Sequence, residues 1–220
     1  MELLIFHNIL SDPGIAAILD RNKPAALRSV IPFCETEGVT ENGVLEYIAK
    51  TLADDENVLS AVLRSGKHVG DDLKAAALCD LEKIYTFLYK TTIKYKPSGN
   101  PTGFFPGYTY SIRNITYASS YTELYDKLFF HYKNLGNGIL SKYVAFKYDN
   151  NIISGVTADK SVTFDSLIGL EHQKKILLDN SKAFVKGHKA NNVLLFGDRG
   201  TGKSSSVKAL LDMFAKDGLR

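Results

Sequence analysis

Residues 194–206 read LLFGDRGTGKSSS, and this stretch restricts what the chain around it can fold into more than any other. Gly197, Asp198, Arg199, Gly200, Thr201, Gly202, Lys203 and Ser204 fill every fixed position of the pattern G-x-x-x-x-G-K-[ST]. Val193, Leu194, Leu195 and Phe196 precede it as a short, continuous apolar run of the kind a buried parallel strand shows. Behind it, Val207, Leu210, Leu211 and Phe214 recur at helical spacing and predict the buried face of a helix, with Gly218 placed to end it. Strand, glycine loop and helix in this order predict the first strand-loop-helix of an α/β P-loop nucleotide-binding module.

The residue types suit one chemistry. Glycines at 197, 200 and 202 let the backbone curl so that successive N–H groups point at an anion, where side chains would block its approach. The helix N-terminus adds partial positive charge. Lys203, the catalytic candidate, supplies a full charge to terminal phosphates, and Ser204 offers a hydroxyl to Mg²⁺ held between them. Ser205, on the first helical turn, is a donor for the α-phosphate. Asp198, Arg199 and Thr201 belong to the same binding loop; the side chains of Asp198 and Arg199 read as solvated rather than catalytic. The expected ligand is Mg-ATP. Glycine-rich turns between strand and helix also occur without a ligand, but a lysine at the positive end of a helix is unfavourable unless an anion joins it.

From Phe164 onward the sequence resembles the start of an AAA-type ATPase module. The phrase FDSLIGLEHQKKIL stands ahead of the glycine loop at about the family's interval, and the resemblance implies that Ile168 and Gly169 lie against the adenine base. KGHKANN followed by NNVLLFGDRGTGKSS is similar to a family of bacterial AAA-type ATP-binding proteins of unassigned cellular role, in which a helical and small β region precedes the ATPase module. That implies two domains, residues 1–160 helical or α+β and residues 161–220 the start of the ATPase module. The family's Walker B acids, sensor, arginine finger and helical lid would all follow Arg220. The 220 residues are therefore expected to be part of a longer protein and to have weak or no ATPase activity alone, with homo-oligomers belonging to the longer form.

The rest of the chain predicts a mainly helical N-terminal region. Residues 40–90 read as three helical pieces, with Leu45, Ile48 and Leu52 on one face, then Val58, Val62 and Leu63, then Ala77, Leu81, Ile84, Tyr85 and Leu88. Asp71 and Asp72 are expected to cap the third. KYKPSGNPTGFFPGYTY, residues 94–110, reads as an irregular loop anchored by Phe104, Phe105, Tyr108 and Tyr110; its aromatics and lysines also suit base stacking, though no RNA-binding signature accompanies them. SYTELYDKLFFHYKN predicts an amphipathic helix, with Tyr121, Leu124, Tyr125, Leu128 and Phe129 inward. KYVAFKYD and NNIISGV predict a hairpin across Asn150 and Asn151. A linker then enters a helix near Leu170 that Gly187 bounds.

Charge is uneven. Residues 1–89 hold 8 basic and 14 acidic side chains, residues 90–150 hold 8 and 3, and residues 151–220 hold 11 and 7. A basic remainder calls for an anionic partner, which a nucleotide satisfies; a protein or nucleic-acid partner of the N-terminal domain stays open. Two widely spaced cysteines, Glu2 where a signal peptide needs basic residues, and no long apolar run predict a cytoplasmic protein without a membrane. No H-E-x-x-H or G-x-S-x-G is present, and His172 and His188 read as surface residues. The alternatives to an AAA-type ATPase are another P-loop class, a kinase or DNA-handling ATPase, or a non-enzymatic interaction module carrying a vestigial loop.

Overall fold

The computed structural model describes residues 1–37, 39, 42–97, 106–156 and 162–219, and the chain divides into two compact units, Met1–Lys142 and Tyr143–Arg220. The first is built of helices. A 3₁₀ turn at His7–Ser11 leads into α1 (Pro13–Leu19), where Asp12 accepts the Ile15 N–H as a cap and Pro13 starts the helix at a position that lacks an N–H partner anyway. α2 (Lys23–Glu37) packs on α1 and carries Pro32 in its interior.

The three pieces expected over residues 40–90 are α3 (Gly43–Asp54), α4 (Val58–Arg64) and α5 (Asp71–Ile84), the last continued by a π turn at Tyr85–Tyr89. Asn42 caps α3, and Asn57 and Ser60 form a reciprocal capping box on α4. Ile48, Leu52, Leu63, Ala77, Leu81, Ile84 and Leu88 are buried as their spacing predicts, but Val58 is 52% exposed. Asp71 and Asp72 do not cap α5: the cap is Gly70, and the two aspartates stand in the first turn, where their charge meets the positive helix end.

The irregular stretch expected over residues 94–110 gives way at Pro106 to α6 (Pro106–Thr116). Proline at the first helical position opens this helix rather than forbidding it. Tyr108 is buried and Tyr110 exposed; Phe104 and Phe105 lie outside the described residues. α7 (Tyr121–Asn134), capped by Ser120, and the short α8 (Ile139–Lys142) complete the unit.

Its core is one cluster that includes Phe6, Ile15, Ile48, Leu52, Leu59, Leu81, Ile84, Ile115 and Leu124. Each such side chain stabilises the fold by about 1.5–3 kcal/mol of transfer free energy before entropy is counted. Asp80 and His131 are polar groups buried beside it. The Asp80 carboxylate accepts the backbone N–H groups of Leu4 (2.8 and 3.0 Å), Ile5 (2.6 Å) and Phe6 (3.1 Å). His131 shares a hydrogen bond of 2.9 Å between its Nδ1 and Ser111 Oγ.

In the second unit, β1 (Ala145–Asp149) pairs antiparallel with β2 (Ile152–Val156), Ala145 opposite Val156 and Asp149 opposite Ile152. Asn150 and Asn151 hold φ of 48° and 63°, the left-handed pair that a two-residue hairpin requires. A 3₁₀ turn at Phe164–Ser166, α9 (Glu171–Val185) and α10 (Lys203–Phe214) enclose a small core of Phe164, Leu177, Ala209, Leu210 and Phe214.

The chain is thus mainly helical with one small antiparallel sheet among the described residues. Two expectations for the second unit need correction. Val193–Phe196 is not a buried parallel strand: it pairs with no strand among the described residues, and Leu194 and Phe196 are 83% and 86% exposed. A strand exists through its ladder, and an apolar run without a neighbour has nothing to pair with. The inward face of α10 is likewise shifted, with Ala209 buried and Val207 exposed. Among the described residues no helix is long and apolar enough to cross a membrane.

Candidate functional site

The glycine loop turns back on itself through three left-handed glycines. Gly197, Gly200 and Gly202 hold φ of 137°, 86° and 81°, conformations that residues with a Cβ rarely adopt. Gly202 is the N-cap of α10, so Lys203 opens the helix. Thr201 Oγ1 donates to the Asp198 carbonyl at 2.9 Å and tightens the turn. The Lys203 ammonium reaches back into the curl and donates to the carbonyls of Gly197 (2.8 Å) and Asp198 (2.5 Å) and to Thr201 Oγ1 (3.2 Å). All three acceptors are neutral; among the described residues no carboxylate pairs with it.

The remaining predicted residues sit around this centre. Asp198, Arg199, Thr201 and Ser204 are exposed, and Ser205 is half-buried on the first turn of α10. Ser206, which the pattern does not single out, donates its hydroxyl to the Gly202 carbonyl at 2.9 Å and closes the helix start. His172 and His188 are exposed. Among the described residues no group of three or more His, Cys, Asp or Glu stands where it would hold a metal ion.

Residues 167–170 come against the end of the loop. A Cβ added at Gly202 would lie 3.7 Å from Leu167 Cδ2 and 4.0 Å from Leu170 Cδ1, so Leu167 and Leu170 flank Gly202 as an apolar pair. Between them Gly169 holds φ 76°, and Ile168 projects with 98% of its surface exposed. Leu170, at φ 63°, is the N-cap of α9. Lys174 secures the turn by donating to the Leu167 carbonyl and pairing with Glu171 at 2.9 Å. Sequence reasoning names Ile168 and Gly169 but misses Leu167, Leu170 and Lys174, because their roles depend on a left-handed turn at Leu170 that no local residue preference announces.

A second support fixes the segment leading into the loop. The Asn180 side chain on α9 both donates to the Asn191 carbonyl (2.9 Å) and accepts its N–H (2.8 Å), as a neighbouring strand would. Asn180→Ala is expected to speed hydrogen exchange of the Asn191 amide by about tenfold, the worth of one lost hydrogen bond, measured by NMR. An unchanged rate would mean that the segment is held elsewhere.

Over residues 141–220 the chain is similar to a family described as a protein of unknown function, DUF815. No curated protein and no solved structure matches the chain.

Proposed function

We propose that residues 197–205 bind the phosphates of ATP, as the opening part of an AAA-type P-loop module. The observation that carries this reading is the Lys203 ammonium, held inside a three-glycine curl by neutral oxygens alone. A full positive charge at the positive end of a helix, with no carboxylate to answer it among the described residues, favours an anion. Phosphate oxygens would replace the Gly197 and Asp198 carbonyls around the ammonium, exchanging neutral acceptors for charged ones, which roughly doubles the strength of each bond.

The donor set also fits Mg²⁺. Ser204 carries an exposed hydroxyl beside the lysine and is the residue that would hold the ion; Mg²⁺ keeps most of its waters and takes its remaining ligands from phosphate, so one protein oxygen suffices. When bound, the ion would neutralise charge on the phosphate oxygens. Ser205, on the first turn of α10, would donate to the α-phosphate. Leu167 and Leu170 supply apolar surface next to Gly202, which suits a base stacked beside the phosphates, with Ile168 and Gly169 between them. The reading assigns binding rather than turnover, and a cytoplasmic setting accompanies it.

Titrating a fluorescent ATP analogue into the full chain, with and without Mg²⁺, tests the proposal. Saturable binding that Mg²⁺ strengthens is expected, and Lys203→Ala should weaken it by tenfold or more, on the order of one charge-assisted contact. Equal affinity of wild type and Lys203→Ala would remove the loop from any nucleotide site.

A further inference from the structure

The first unit holds a cleft of about 590 Å³, bounded by the turn after α4, the start of α5 and one face of α7. Tyr125, Phe129 and Lys133 follow one another at intervals of four along α7 and so line that face together. Phe129 is half-buried and offers ring edge to the cleft, with the buried Tyr125 packed behind it. Their rings lie 6.1 Å apart, centre to centre.

The cleft is also lined by three lysines from three elements: Lys67 on the turn, Lys74 on α5 and Lys133 on α7. The Lys74 ammonium lies 5.9 Å from the Tyr125 ring centre, and the Lys133 ammonium 5.9 Å from that of Phe129. These contacts hold the ammonium groups near the rings instead of letting them trail into solvent. Asp71 and Asp126 line the same cleft, yet among the described residues none of the three lysines is within ion-pair distance of a carboxylate. Three lysines against two aspartates leave a single excess positive charge.

We infer that this cleft binds an aromatic molecule bearing one phosphate, the chemistry of a nucleoside monophosphate, with its ring against the half-buried Phe129 and its phosphate beside Lys67, drawing Lys74 and Lys133 off the rings toward it. The volume falls in the ordinary range of small-ligand sites, about 300–1,000 Å³. Lysine acts on phosphate as a point charge, and three such charges from separate elements enclose a head group without needing a fixed fork. The inference is independent of the glycine loop, which belongs to the other unit.

The test is calorimetric titration of the 220-residue Lys203→Ala chain in 150 mM NaCl with AMP, adenosine or inorganic phosphate, a background in which the glycine loop is weakened. AMP should bind saturably, with adenosine and phosphate each about tenfold weaker because each keeps only part of the contact. In that same background Lys74→Gln combined with Lys133→Gln should weaken AMP about tenfold or more. Both side chains are exposed, so an unchanged circular dichroism spectrum and urea midpoint establish that the variant is folded. Absence of saturable AMP binding, AMP binding untouched by the two substitutions, or tighter binding of an eight-nucleotide single strand than of AMP would each overturn the inference.

Discussion

Asp80→Ala is expected to lower the stability of the chain by about 3–5 kcal/mol, read as a fall in urea midpoint at pH 7. The carboxylate has no exposed surface and spends its two oxygens on three consecutive N–H groups, those of Leu4, Ile5 and Phe6. Hydrogen bonds to a charged group contribute more than neutral ones, about 1.5–3 kcal/mol each, and they are not additive here because they share one acceptor. Removing the carboxylate leaves adjacent amides without their acceptor and frees the segment that carries Leu3, Phe6 and Ile9 into the core. Asp80→Asn should recover only part of the loss, since its amide nitrogen would face donors. A change below about 1 kcal/mol in Asp80→Ala would mean that the segment is held by its apolar side chains alone.

The second large effect is a pH dependence written by His131. Its ring is wholly buried between Ser111 and Tyr132, and burial pushes the imidazole down to about 4 from 6.5, against the upward pull of Asp54 and the Ala53 backbone. The folded state therefore binds this proton less readily than the unfolded chain does. The group costs nothing above pH 6.5; as pH falls from 6.5 to about 4, the unfolded chain takes up the proton first and the fold loses stability. The full loss is about 3 kcal/mol. His131→Gln keeps a polar partner for Ser111 but cannot titrate, so its stability curve should lack this slope while keeping that of the carboxylates. Parallel curves for the two proteins between pH 6.5 and 4 would show that His131 does not carry the effect.

How far these features could be foreseen follows from how local their causes are. The Asn150–Asn151 hairpin was legible because two left-handed residues in a two-residue turn are a local requirement that asparagine meets. The inward faces of α5 and α7 were legible too, because their apolar residues repeat at helical spacing. Val193–Phe196 misled because apolar content reports a preference for burial but not the partner that provides it. Pro106 misled because proline ends a helix or begins one according to its position, and its neighbours Gly107 and Pro101 favoured the wrong choice. Asp80 and His131 were invisible for a different reason: in the sequence, a carboxylate on an amphipathic helix looks like any solvated charge. Only the fold brings residues some 75 positions away to Asp80, or Ser111 to His131.

The Asp80 clamp also bears on the order in which the chain is completed. The bonds to Leu4, Ile5 and Phe6 span 74–76 positions, so during synthesis these amides meet the Asp80 carboxylate only after α5 has emerged and wound up. Until then Leu3, Phe6 and Ile9 are sticky surface on a nascent polypeptide, and their segment waits on a helix about 70 positions downstream before it can settle.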